Sequence, residues 1–364
     1  MKIAFYGSSL LSSYWNGAAT YYRGLLRALA ERGYSIVFCE PDAFNRQQNR
    51  DIDPPSWCDV AVYDASLNGL AGVLKHAAEA DIVVKASGVG VMDDDILAGV
   101  MAAARPGAIK IWWDVDAPAT LADIQAGRQP LLRRMLPEID IVLTYGGGMP
   151  VVESYRALGA PDCVPVYNAL DPRTHYPVSA NPAFDADLAF LGNRLPDREA
   201  RVEEFFLHPA ELLPDQRFLL GGAGWDDRAR SPNIRYIGHV STREHNAFNA
   251  SPKTVLNITR ESMAQTGFSP PTRVFEAAGA GACLITDAWR GIELFLKPDE
   301  EVLVARDAQD VCDILAGLTA ERARDIGRRA LARVAGDHTY VRRAVEVDRI
   351  LNRIREEKRA EAMA

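Results

Sequence analysis

The chain of 364 residues is 48% hydrophobic and 25% charged, a globular composition that excludes disordered and collagen-like chains. Its formal net charge is −8, which argues weakly against nucleic-acid binding, because nucleic-acid-binding proteins usually carry a basic surface. At roughly 150 residues per domain, the length predicts two domains.

No apolar run reaches the roughly 18 residues needed to span a bilayer. Gly7 and Ser8 also interrupt the first apolar segment too early for a secretion signal, so we expect a cytoplasmic protein with no transmembrane segment. The five cysteines form no CxxC pair and have no histidine nearby at zinc spacing. We therefore expect buried thiols and no metal site.

Strand-like apolar runs alternate with helical patterns from the first residue, which predicts parallel sheets in an α/β fold. The first series of predicted strands covers residues 2–6, 35–39, 60–63, 81–85, 109–113, 139–144 and 164–167. The second series covers residues 186–191, 217–220, 234–237, 254–258 and 282–286. Predicted helices include residues 20–32, 199–206, 243–248, 270–280 and 308–318.

A turn-rich segment over residues 168–182 separates the two series, so it marks the predicted domain boundary. We predict Rossmann-like doubly wound domains over residues 1–168 and 169–339, facing a cleft. A C-terminal helix over residues 340–364 would be able to cross back to the first domain. Because ligands of such sheets bind beyond the carboxyl ends of the strands, the loops that follow strands carry the functional candidates.

The clearest candidate is the start of the helix predicted from residue 270. Ser269 is a suitable N-cap, Pro270 suits the first helical position, and the open N–H groups there can bind an anion. Arg273 and Glu276 share one helix face, so we expect a diphosphate near Thr272 and Arg273 and ribose hydroxyls at Glu276. The alternative is a surface Arg–Glu pair on an ordinary capped helix.

Two arginines follow the predicted strand 186–191. Arg194 and Arg198 stand at its carboxyl end, where a cationic clamp would bind phosphate. The alternative is a pair of solvated arginines at a helix start, although cations there oppose the helix dipole.

Loops after first-domain strands are expected to line the cleft. These residues are Tyr14, Trp15, Asn16, Gly17, Trp113, Tyr145 and Gly146. No glycine-rich segment of the chain completes a dinucleotide fingerprint or a Walker loop, which argues against an oxidoreductase or a P-loop NTPase.

Asp114 and Asp116 follow two tryptophans at a predicted strand end. One of them could serve as a general base, and we favour Asp116 because the following Ala117-Pro118 biases it toward an extended backbone. The pair could instead hold a cation, or form a turn and a helix N-cap.

Taken in order, these motifs resemble the GT-B glycosyltransferases, and within them the CgeB-like (spore maturation protein CgeB-type) family. The second-domain blocks that carry the resemblance are residues 190–201, 236–240, 256–264, 269–276 and 286–293, and the first-domain blocks are residues 114–118 and 167–172. The resemblance implies hexosyl or related glycosyl transfer from a UDP-, GDP- or dTDP-linked sugar. The acceptor is unidentified (a small molecule, glycan or protein), and neither another cofactor nor a divalent metal is expected.

The resemblance also implies residue roles. Glu276 matches a ribose-binding glutamate, Arg194 a phosphate-binding arginine, and Arg198 a position where many relatives carry a phosphate-binding lysine. His239 and Val240 would lie beside the base, and Glu293 is a further candidate carboxylate of the cleft.

Phe268 stands where many retaining relatives carry a second glutamate, which leaves the stereochemical outcome open. A non-catalytic nucleotide-sugar binding protein and a sugar-nucleotide epimerase on the same scaffold are the alternatives.

Overall fold

The computed structural model describes residues 1–14 and 16–363, which divide into two compact units. The N-terminal unit comprises Met1–Asn168 together with the last helix of the chain, which begins at Tyr340, and the C-terminal unit comprises Ala169–Thr339. Each unit holds one parallel sheet with helices, so the predicted α/β class with two parallel-sheet domains is confirmed. In the part of the chain that is described, no helix combines the length and the apolar character needed to cross a membrane.

The N-terminal unit is built on a seven-stranded sheet of order β3-β2-β1-β4-β5-β6-β7, with every neighbouring pair parallel. Its strands are β1 (Lys2–Tyr6), β2 (Ser35–Asp42), β3 (Asp59–Asp64), β4 (Ile82–Ala86), β5 (Ile109–Asp114), β6 (Ile141–Thr144) and β7 (Cys163–Pro165). The central strands are buried on both faces, which is why they read as continuous apolar runs.

The C-terminal unit is built on a six-stranded sheet of order β10-β9-β8-β11-β12-β13, again parallel throughout. Its strands are β8 (Leu188–Leu191), β9 (Phe218–Gly221), β10 (Ile234–Tyr236), β11 (Thr254–Asn257), β12 (Leu284–Asp287) and β13 (Leu303–Ala305). The edge strand β13 has three residues and does not follow from the sequence pattern.

Helices connect the strands on both faces of each sheet. In the N-terminal unit they are α1 (Ala18–Ala30), α2 (Leu67–Glu79), α3 (Asp93–Ala103), α4 (Ala117–Gln125), α5 (Pro130–Met135) and α6 (Gly148–Ala157). In the C-terminal unit they are α7 (Pro196–Val202), α8 (His208–Leu212), α9 (His245–Ala250), α10 (Glu261–Thr266), α11 (Thr272–Gly279), α12 (Ala308–Gly317) and α13 (Ala320–Asp337). The last helix, α14 (Tyr340–Met363), returns to the N-terminal unit.

The contact between α14 and α1 explains this return. The ring of Tyr340 lies directly on Gly24, where any Cβ would collide with it. Tyr340 also packs edge-on against Tyr21, with ring centroids 5.9 Å apart. The absence of a side chain at Gly24 on α1 therefore makes room for the ring of Tyr340, more than 300 positions later in the chain.

All five cysteines are buried and free, as the sequence predicts.

Candidate functional site

Loops after β8 and β9 meet at the carboxyl edge of the C-terminal sheet. Gly222 has a φ of +117°, and a Cβ there would collide with the carbonyl oxygen of Gly192. Trp225 Nε1 donates to that same oxygen at 2.8 Å. These contacts fix the backbone at Gly192, directly after β8. Arg194 and Arg198 lie on the segment that follows Gly192.

Arg198 lies over this segment with part of its guanidinium unsatisfied. Its Nη2 donates to Asn193 O at 2.5 Å, and a Cβ on Gly192 would lie 2.8 Å from the same nitrogen. The buried Nε has no hydrogen-bond partner among the described residues. Burial, followed by the charge of Arg273, lowers the pKa of Arg198 to about 10. A buried cation without a carboxylate partner is costly, so the site is suited to an anionic ligand.

Arg194 has a different environment. Its guanidinium pairs with Glu199 at 2.6 Å and with Asp227 at 3.0 Å. Two carboxylates therefore already pair with the guanidinium that the sequence suggests for phosphate binding. Of the two arginines, Arg198 is better placed to bind a phosphate.

The start of α11 differs from the sequence prediction. Pro271 is the N-cap and Thr272 the first helical residue, whereas Ser269 and Pro270 were expected in these positions. Ser269 Oγ instead donates to Gly267 O at 3.1 Å. The cause is the second proline, because a residue that precedes proline is driven out of the helical region.

Arg273 and Glu276 lie on one face of α11 as predicted, close to two histidines that the sequence analysis did not single out. Burial lowers the pKa of Arg273, and its buried Nη1 has no hydrogen-bond partner among the described residues. Burial acts to raise the pKa of Glu276, but His175, Arg273, His245 and a hydrogen bond from Thr272 together hold it below its usual range. Glu276 is therefore a charged acceptor beside a guanidinium with a free donor.

His245, the first residue of α9, is a neutral partner in this cluster. Burial, followed by the charge of Arg273, lowers its pKa from 6.5 to about 4, while a hydrogen bond with the Val240 backbone acts in the opposite direction. Between these two pKa values the unfolded chain binds more protons than the folded chain, so stability falls as the pH is lowered.

We expect His245 to lower the free energy of unfolding by about 2 kcal/mol when the pH is lowered from about 7 to about 5. Urea unfolding at both pH values, in the wild type and in His245→Gln, measures the effect. The variant should lose less stability on acidification. An equal loss in both proteins would contradict the neutral-histidine assignment.

His239 and Val240 were predicted to lie beside the nucleotide base of the donor. His239 is exposed, whereas Val240 is 4% exposed and packs in a small core with Leu191, Leu219 and Phe248. The side chain of Val240 is therefore part of the core, and Val240 could contact a ligand only through its backbone.

A buried network follows β11 and β12 that sequence reasoning did not assign. Asp287 accepts from Arg201 Nη2 at 2.7 Å and from the backbone N–H of Thr259 at 3.0 Å. Two features of the sequence could have indicated this network: Asp287 stands at the end of a predicted strand, and Arg201 lies on the predicted helix that follows β8. Its contacts are internal, so it positions the loop after β11 rather than binding a ligand.

Asp114 and Asp116 differ sharply in the N-terminal unit. Asp114 is fully buried and accepts from Ser87 Oγ at 2.7 Å, Thr120 Oγ1 at 3.0 Å, the Asp116 N–H at 2.9 Å and the Tyr155 hydroxyl. Burial raises its pKa despite these bonds. Its oxygens hold the turn between β5 and α4, so the catalytic role considered for Asp114 is not supported.

Asp116 is half-buried at the start of α4, and its side chain does not cap that helix. Glu293 is exposed on a short turn after Gly291. Among residues 1–14 and 16–363, no three His, Cys, Asp or Glu side chains form a group that could hold a metal ion.

Several residues expected to line a cleft have structural roles. Trp113 is 2% exposed and donates from Nε1 to the Tyr21 hydroxyl at 3.1 Å, so it belongs to the core. Tyr145 is half-buried against Tyr21, with ring centroids 5.6 Å apart. Gly146 is buried, and its carbonyl accepts from Thr144 Oγ1 at 2.7 Å.

The loop after β1 is held by its own side chains. Asn16 accepts from Ser8 Oγ at 2.9 Å and donates to Ser9 O at 2.9 Å and Ser12 O at 3.0 Å, so its amide is used inside the loop. A Cβ on Gly17 would meet no atom within 4 Å, so its conformation does not require glycine. Tyr14 is 44% exposed, and Trp15 lies outside the described residues.

Comparison with known proteins bears on both units. Residues 198–349 match a family model described as glycosyl transferase-like. No curated protein matches the sequence.

Solved structures of similar fold extend over nearly the whole chain. Sucrose-phosphate synthase from Thermosynechococcus elongatus has 15% identity and a TM-score of 0.70, covering 97% of this chain and 99% of its own. HepE of Anabaena, in complex with UDP and glucose, has 14% identity and a TM-score of 0.66 with the same coverage. AviGT4, a glycosyltransferase involved in avilamycin A biosynthesis, has 17% identity and a TM-score of 0.60, covering 98% of each chain.

Proposed function

We propose that this chain, a glycosyltransferase with the GT-B fold, takes its sugar from a UDP-linked donor bound by the C-terminal unit. The observation that carries the proposal is the pair of guanidinium groups of Arg198 and Arg273, each with an unsatisfied buried nitrogen, beside the charged Glu276. HepE, of similar fold, was solved with UDP and glucose, which supports UDP as the nucleotide. Membership of the CgeB-type subfamily is part of the proposal.

In this arrangement the diphosphate binds Arg198, Arg273 and the open N–H groups at the start of α11. Glu276, in the second turn, accepts hydrogen bonds from the ribose hydroxyls. The backbone around Val240 and the exposed His239 are placed for the base. Arg194 acts indirectly, because its pairs with Glu199 and Asp227 hold the loop that carries Arg198.

The transfer forms a bond between an acceptor oxygen and the anomeric carbon and breaks the bond from that carbon to UDP. The acceptor proton passes to a base, for which we propose Asp116 of the N-terminal unit, with Glu293 as the second candidate. The charge that develops on departing UDP is stabilised by the two guanidinium groups and the helix N–H groups, without a divalent metal.

Release of free UDP from a panel of UDP-sugars tests this function. A transferase releases UDP, an epimerase isomerises the donor without release, and a binding protein does neither. The acceptor is not needed for the binding half of the test, since calorimetry with UDP alone reports on the nucleotide site.

Arg198→Ala should weaken UDP binding by about tenfold or more, because a hydrogen bond to a charged group contributes about 1.5–3 kcal/mol. Arg194→Ala is the matched comparison from the same loop, and we expect a smaller effect because its charge is already paired. Calorimetry with UDP measures both. Unchanged affinity in both Arg198→Ala and Glu276→Ala would contradict the assigned donor site.

A further inference from the structure

Phe268 occupies an unusual backbone conformation in the loop before α11. Its φ is +51°, in the left-handed region that bulky residues rarely adopt. Its N–H donates to Arg290 O at 2.6 Å, and its ring covers Gly291, where any Cβ would collide with it. A Cβ on Gly267 would likewise lie 2.7 Å from that of Arg290. Such strain persists only where the surroundings impose it, and it concentrates at functional sites.

Arg290 is the residue that Phe268 contacts through both its backbone and its ring. The Arg290 side chain is exposed, and its guanidinium carbon lies 5.2 Å from the centroid of the Phe268 ring. Its side chain makes no hydrogen bond or ion pair with any residue that the structure describes. An aromatic face thus holds the cation and leaves its N–H donors open, whereas a carboxylate partner would have used them.

The direction of α11 indicates which part of a donor would reach Arg290, an argument that rests on the proposed function. Glu276 lies four residues after Thr272, about 6 Å along the helix axis at 1.5 Å per residue. A donor with its ribose at Glu276 and its diphosphate at the helix start therefore extends its sugar toward the loop that contains Phe268.

We propose that Arg290 binds a carboxylate on the transferred sugar, so that the preferred donor is a UDP-linked uronic acid. The planar fork of N–H donors on a guanidinium matches the two oxygens of a carboxylate. Phe268 is a positioning residue that fixes Arg290 without neutralising it. A glutamate at position 268 would instead pair with Arg290 and repel an acidic sugar.

Calorimetric titration with UDP-glucuronic acid, UDP-glucose and UDP tests this inference without needing an acceptor. The wild type should bind UDP-glucuronic acid about tenfold or more tightly than UDP-glucose. Arg290→Gln should remove most of that preference while leaving the affinity for UDP unchanged. Phe268→Leu, which keeps an apolar side chain but loses the ring, should reduce the preference partly. The control is Arg333→Gln on α13, where the side chain is 39% exposed and pairs with Asp337.

Three results would overturn the inference. These are an equal or weaker affinity for UDP-glucuronic acid in the wild type, a preference that survives in Arg290→Gln, and a loss of UDP affinity in that variant, which would place Arg290 on the diphosphate. The proposed function fails separately: a protein that binds no UDP contradicts both proposals, whereas UDP binding without a preference for the acidic sugar contradicts only this one.

Discussion

Asp116→Asn should lower the turnover of the transferase by about 10²–10⁴-fold while leaving its affinity for UDP unchanged. General-base catalysis contributes rate factors of this size, and an amide of the same shape cannot accept the acceptor proton. Asp116 is half-buried at the carboxyl end of β5, and its backbone carbonyl, rather than its carboxylate, receives the N–H of Thr120 at 3.0 Å. Steady-state kinetics with a donor that the wild type uses, together with calorimetry, separate turnover from binding.

Asp123→Asn is the control for this substitution. Asp123 lies on the same helix, α4, and pairs with Arg128 on the surface, so neutralising it changes the local charge equally without touching the proposed base. Its turnover should match that of the wild type. Near-normal turnover in Asp116→Asn would remove this residue from the mechanism and direct attention to Glu293.

Asp114→Ala should lower the free energy of unfolding by about 3–5 kcal/mol, because several buried donors lose their shared acceptor at once and each unpaired buried donor costs about 1–3 kcal/mol. The carboxylate has no exposed surface and accepts four hydrogen bonds, from Ser87, Thr120, Tyr155 and the backbone of Asp116. Without it, these donors remain buried and unpaired. Urea unfolding followed by circular dichroism measures the change.

A milder substitution keeps this prediction testable if the alanine variant does not fold. Tyr155→Phe removes only the hydroxyl that donates to Asp114, and it should cost about 1–3 kcal/mol. Asp123→Ala, at a surface aspartate of α4 that pairs with Arg128, should cost less than about 0.5 kcal/mol. A loss below about 1 kcal/mol in Asp114→Ala, less than one unpaired buried donor costs, would contradict the structural role.

The contrast between these two aspartates shows where the sequence stops being informative. They are two residues apart beside the same tryptophans, and both suit a general base or a turn. Sequence reasoning favoured Asp116 only through the proline that follows Ala117. The assignment of Asp114 to the core depends on Tyr155, 41 positions away, which reaches it only when α6 packs against the sheet.

The arginines after β8 illustrate the same limit. Arg194 and Arg198 stand four residues apart in one loop, and their sequence context suggests phosphate binding equally. Asp227, which pairs with Arg194, lies 33 residues away in the loop after β9. The proximity of Arg273 to Arg198 likewise exists only once α7 and α11 lie at one edge of the sheet.

Helix α13 was missed for a physical reason. Its buried face consists largely of Ala323, Gly327 and Ala330, which carry little hydrophobic signal. A Cβ on Gly327 would collide with the backbone at Gly281, so this helix packs by close backbone approach. Pattern analysis detects large apolar residues at helical spacing, and it therefore detects such a helix poorly.

The sequence by itself determined the class of the fold, because apolar strand runs and amphipathic helices alternate, and short connections between parallel strands leave few arrangements. It also located the loops that matter, since parallel strands bring their carboxyl ends to one edge of a sheet. Only the tertiary structure decided the state of each side chain in those loops. Whether an arginine is paired or an aspartate is buried depends on partners that are distant along the chain, and burial and charge pairing are properties of the folded neighbourhood rather than of the local sequence.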